Sequence, residues 1–206
     1  PARDIEVTTT AAAASALLEV ATKKGKFNKK IAVNPAKANM DIFKKLYPAG
    51  YALCPGCPIA LQLTFTEAPR ASFLNGGIEF GFNKTVVAVT ALNNASDYIN
   101  IFSVFLDAEG GVTNITITNG ANTTIDFDVS LPVLKMTEDK ASTPGFVIGL
   151  VIDALHFLVQ KVVVPAFDKD FKGIVLPAIP GIAFSGVELK FVEDTIRLAL
   201  DATFEL

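Results

Sequence analysis

The 206 residues contain no tryptophan, a single histidine and only two cysteines. Each scarcity removes a chemistry. A structural zinc site takes four protein ligands, and Cys54, Cys57 and the distant His156 supply too few, so no metal is expected. A histidine-dependent triad could use only His156, which falls on the polar stripe of an apolar helix and reads as a solvated surface residue. Phosphate-binding loops, the GxGxxG turn, the GxSxG elbow, the HExxH helix and the calcium loop are all missing. Ser185 stands in Ala183-Phe184-Ser185-Gly186, which lacks the first glycine of an elbow and precedes a strand. Asp126 and Asp128 alternate along another strand and read as a solvated sheet face, with weak cation binding as the alternative. A sequence pI near 5.2 and no RNA-binding motif argue against nucleic acid. The expectation is a protein that is not an enzyme and carries no cofactor.

Apolar residues are plentiful. They make up 50% of the chain against 19% charged, and the mean hydropathy is +0.42. A membrane helix is a poor outlet: the longest apolar stretch, 146–167, carries Asp153, His156, Gln160 and Lys161, and two of these would sit near a bilayer centre at several kcal/mol each. The apolar excess therefore needs an interior to fill. Charge is also unevenly placed. Residues 1–50 hold nine basic side chains against four acidic ones, although the whole chain is at −3. Lys23, Lys24, Lys26, Lys29 and Lys30 cluster within this part; they read either as a contact for anionic head groups or as a solvated turn.

Several features bear on the compartment. The sequence starts at Pro1 without methionine or signal peptide, as expected of a mature form or an excised fragment. Sequons at Asn83, Asn94, Asn114 and Asn122 fall within one turn-rich and strand-rich region, more than chance supplies. In Cys54-Pro55-Gly56-Cys57 the first cysteine does not open a helix in a βαβ unit, as a redox motif requires. A small structural disulfide is the preferred reading, free thiols the alternative. Together these suggest a glycoprotein secreted or held in the secretory lumen.

Periodicity organises the chain. Thr8 to Lys24 reads as a helix with a threonine cap run and a stop at Gly25; Phe27 to Val33 as a short strand; Met40 to Tyr47 as a second helix capped by Asn39 and ended by Pro48. From 58 to 135 the period is two, with turns at Asn75-Gly76-Gly77, Asn93-Asn94, Glu109-Gly110-Gly111 and Asn119-Gly120. Along the helix expected over 146–167, Gly149, Asp153, His156 and Gln160 form a narrow polar stripe. The apolar arc covers more than half the circumference, so something apolar should lie on both flanks. Two strands, Gly181 to Phe191 and Ile196 to Phe204, close the chain. The expected fold class is α+β, one domain over 1–206, with two long helices laid against a single curled antiparallel sheet.

The stretch Lys172-Gly173-Ile174-Val175-Leu176-Pro177 after the long helix, then two strands with Val187, Leu189 and Leu198-Ala199-Leu200-Asp201, resembles the end of the bactericidal/permeability-increasing protein family. The front is similar too: Ala14-Ser15-Ala16-Leu17-Leu18 and Gly25-Lys26-Phe27 resemble the opening of that family's C-terminal half, and Phe43 to Pro48 its following short helix. The resemblance spans nearly the whole chain as order and spacing, with few identities. It implies the tubular lipid-binding fold, a bent sheet wrapped around two long helices with acyl chains held between. It also implies a partner such as phospholipid, another acyl lipid or lipopolysaccharide, to which the lysines add an anionic membrane surface. The chain departs from the family in having one half where many relatives have two, and in a cysteine pair without a counterpart. On this reading it is the C-terminal half of a longer protein or a one-half relative, which leaves lipid transfer open.

Helical spacing then gives the expected tunnel lining: Leu17, Leu18 and Ala21 from the first helix, and Val151, Ala154, Leu155, Leu158 and Val162 from the long one. A lipid carrier or sensor is the leading function. The runner-up is a protein-interaction module with a closed tunnel. A third reading, an antimicrobial or lipopolysaccharide-neutralising effector, rests on the lysines and the resemblance.

Overall fold

The computed structural model describes residues 5–74, 77–93, 97–118, 123–140, 146–170, 172–175 and 182–204. The first expectation to change is at the N-terminus. The β-branched run Ile5–Thr10 is a strand, β1, and only Thr10 acts as a cap, its hydroxyl accepting the Ala13 N–H at 3.1 Å. Helix α1 spans Ala11–Lys23 and ends at Gly25, whose φ of +64° suits a residue without Cβ. Strand β2 (Lys29–Ala32) follows, then a 3₁₀ turn, Met40–Phe43, capped as expected by Asn39, whose Oδ1 accepts the Asp41 N–H. Pro48 opens a helix where the sequence reading had it end one. It is the first residue of α2, Pro48–Leu53, where a missing N–H goes unused.

Among the described residues two antiparallel sheets form, in place of the single sheet expected. The larger contains β3 (Ile59–Thr64), β4 (Arg70–Leu74), β5 (Gly77–Leu92), β6 (Tyr98–Thr118), β7 (Thr124–Glu138) and β8 (Ile174–Val175). Its order is β2-β3-β5-β6-β7-β8, and β4 shares the edge of the long β5 with β3. The smaller sheet pairs β1 with β10 (Thr195–Phe204) and β10 with β9 (Ile182–Val192).

The large sheet curls because its long strands carry bulges. Register shifts fall between Phe82 and Thr85, between Glu109 and Gly111, and between Thr113 and Thr116. Gly110-Gly111 is therefore not a turn, since β6 runs straight through it. A Cβ on Gly110 would lie 2.0 Å from the Ser130 carbonyl oxygen, so β7 passes where only glycine fits. Pro132, which cannot donate to a ladder, occupies the bulge on the β7 side.

One long helix, not two, lies on this sheet. It begins at Ile152 after a 3₁₀ turn, Ile148–Leu150, and continues to Asp170. In the order of the chain it comprises α3 (Ile152–Leu158), a π-helical turn (Val159–Val163) and α4 (Val164–Asp170). The π turn precedes Pro165, whose ring would crowd an α-helical carbonyl one turn back and whose nitrogen has no hydrogen to give. Val151, Leu155, Leu158, Val159 and Val163 are buried against Leu61, Leu63, Val87, Val89, Val104 and Leu106 of the sheet. Aromatic clusters close this core at both ends. Phe146 stacks on Phe102 at 4.5 Å with Tyr47 and Phe43 beside them; at the other end Phe167 meets Phe65, which touches Phe27 and Phe82.

Helix α1 does not enter this core. None of its residues is buried, and it packs chiefly on β4 and β1.

Candidate functional site: the uncovered flank of the long helix

Polar contacts fix the long helix on β7. Ile148 N–H donates to Glu138, Gln160 Nε2 to the Leu131 carbonyl freed by the Pro132 bulge, and Val129 N–H to Asp168. Lys172 then bridges Asp168 at 2.9 Å and Asp128 at 3.4 Å, while Gly173 N–H donates to Asp126 at 2.6 Å. The Lys-Gly part of the stretch that carried the resemblance is thus a clip, and the Asp126/Asp128 pair is engaged by it. The Asn114 amide and then Lys172 hold the Asp128 carboxyl below its ordinary value, and Asp168 holds the Lys172 ammonium above its own. His156 is half-buried and not freely solvated; its Nε2 is enclosed with no hydrogen-bond partner among the described residues.

Placed this way, the helix has three sides. The core side is Val151, Leu155 and Leu158; the polar side is Asp153, His156 and Gln160. The third side carries Ala154 and Phe157, with Leu150 in the 3₁₀ turn that leads into the helix. It is apolar and partly uncovered: Phe157 is 50% exposed while Ala154 is half-buried, and Leu150 and Val147 before the helix are 60% and 53% exposed. The sequence signal for this side was present in the arc too wide for one sheet face.

The expected lining is divided by the structure. Val151, Leu155 and Leu158 are filled against protein side chains, while Ala154 and Val162 are half-buried at the edge of that packing. Leu18 and Ala21 are half-buried on α1, and Leu17 is 68% exposed. The two sets do not make one common wall. The lysines divide as well. Lys29 turns inward, its Nζ donating to the Ala166 carbonyl at 3.0 Å near the Phe167 ring. Lys30 lies over the Tyr98 ring, and Lys23 pairs with Glu19 at 2.6 Å, which lowers the Glu19 pKa. Lys24 and Lys26 are exposed. Cys54 and Cys57 are joined as a disulfide across a four-residue loop in which Gly56 adopts a φ of +70°. Asn114 is exposed at a β6 bulge and Asn83 is half-buried in β5; Asn94 and Asn122 lie outside the described residues.

The resemblance to the bactericidal/permeability-increasing family holds at the level of the fold, a curled antiparallel sheet around a helix in an α+β chain. The crystal structure of lipopolysaccharide binding protein matches with a TM-score of 0.50 and 14% identity over 85% of this chain and 40% of that one. The chain thus spans well under two thirds of that protein's length. No family model matches the sequence, and no curated protein does.

Proposed function

We propose that the chain is a non-enzymatic lipid binder that holds an acyl chain along the uncovered flank of its long helix. The observation that carries this reading is the set Val147, Leu150 and Phe157, apolar side chains exposed just before the helix and on it, while the core side of the helix is filled by protein. Each methylene removed from water there contributes about 0.8 kcal/mol, so a chain of about ten methylenes gains several kcal/mol even when half covered. The fold shared with lipopolysaccharide binding protein supports a lipid or lipopolysaccharide as partner. The disulfide and the exposed sequon at Asn114 support a secretory location.

A second reading has its own support. Because Val151, Leu155 and Leu158 are packed by protein, the same flank could seat an apolar helix of another protein. Mass spectrometry of organic extracts, with titration of a fluorescent fatty-acyl probe, separates the two. Wild type should yield lipid and bind the probe, and Phe157→Asp should lose the probe while melting as lipid-free wild type does. Empty extracts and no probe binding would remove the lipid reading and favour the interaction module.

A further inference from the structure

We propose that α1 docks the protein on an anionic lipid bilayer, a surface separate from the flank of the long helix. The helix has apolar residues on its inner side, where Ala14, Leu18 and Ala21 are half-buried, and a second apolar stripe on its outer side. Along one edge, Ala12, Ser15, Ala16, Glu19, Thr22 and Lys23 line an open cleft of about 580 Å³ against the segment 66–70. Ala13, Leu17, Val20 and Lys24, spaced at i, i+4, i+7 and i+11, face outward. Leu17 is 68% and Val20 51% exposed, so the apolar surface of the helix extends beyond the side that packs on the protein.

Charge complementarity selects the occupant. The outward apolar stripe runs into exposed Lys24, with Lys26 beside it, whereas the chain as a whole is at −3. Such a stripe would repel a second copy of itself. An anionic bilayer satisfies both halves: the leucine and valine enter the acyl boundary while the lysines stay at the head groups. The acidic remainder of the molecule is pushed away from the same surface, which sets the orientation.

Flotation with phosphatidylcholine vesicles, with and without phosphatidylserine, over a range of salt concentrations tests this. Wild type should bind only the serine-containing vesicles and come off as salt rises. Leu17→Asp with Val20→Asp should lower partitioning more than tenfold, and Lys24→Gln with Lys26→Gln by about fivefold per lysine. All four side chains are exposed, so circular dichroism should be unchanged in these variants. Phe157→Asp should float like wild type, so a failed carrier reading and a failed docking reading are distinguishable. Equal binding to both vesicle types, or undiminished binding by the Leu17/Val20 variant, would overturn the proposal. So would a wild-type dimer, seen by sedimentation, that Leu17→Asp dissolves while vesicle binding is absent.

Discussion

Gly110 shows how much one missing Cβ sets. The Ser130 carbonyl occupies the space a side chain would take, and the Leu131 Cδ2 stands 2.8 Å from the same point. Both neighbours belong to β7 and one is backbone, so neither yields without breaking the ladder. Gly110→Ala should destabilise the protein by about 3 kcal/mol or more, read as a lower urea midpoint at unchanged slope. Gly81, where the nearest atom to an added Cβ is 3.8 Å away, should tolerate alanine far better. The clip at Lys172 makes a different prediction, in pH. Asp128 has a folded pKa below its ordinary 3.8, so its contribution is present above that value and is lost as pH falls through the lowered one. Lys172 has a folded pKa above 10.5, so its contribution is full below that value and is lost as pH rises through the raised one. Lys172→Gln should therefore flatten the stability profile at both extremes and leave it nearly parallel to wild type near neutrality.

At the level of elements, the long helix offers two sites of equal chemistry and opposite expected effect. Leu155 is fully buried at its centre and Phe157 half exposed two residues on. Leu155→Ala should cost about 2–5 kcal/mol with a cavity left behind. Phe157→Asp should cost little stability and remove ligand, so a thermal melt of the two variants tests the assignment of sides. The polar stripe Asp153, His156, Gln160 and the strand alternation Ile125 to Leu131 were legible in the sequence because periods of 3.6 and 2 are local properties of a chain. What decided the rest was not local. The Gly110-Gly111 pair has the composition of a turn and sits in a strand because β7 passes over it, a contact twenty residues away in sequence. Pro48 has the same local signature whether it ends one helix or opens the next. The helix over Ala11–Lys23 was visible, but helical spacing could not say that its outer stripe would remain unburied. The expected lining is divided at that step: Leu17 and Leu155 carry similar patterns and lie in different surroundings.

The whole molecule is a large curled sheet filled by one helix, joined to a small sheet built from the two ends of the chain. β1 and β10 pair from Ile5↔Leu200 to Thr10↔Thr195, so the first and last strands are held together and α1 projects from them over β4. This arrangement leaves apolar surface outside a core whose central side chains are already enclosed. If that surface is a lipid site, the unliganded protein should be measurably less stable than the loaded one. A ligand that binds only the folded state stabilises by about 2.7 kcal/mol at a hundredfold excess over its Kd. For a domain of about 200 residues each kcal/mol moves the melting temperature by about 2–4 °C. Extracting bound lipid under conditions that keep the fold should lower the melting temperature by about 5–10 °C, and adding it back should restore the difference. Phe157→Asp should melt at the delipidated temperature with or without added lipid, because its flank no longer gains from burial. A wild-type melting temperature indifferent to lipid would mean that the flank is covered by something else, and would shift the assignment toward a protein partner on that side of the helix.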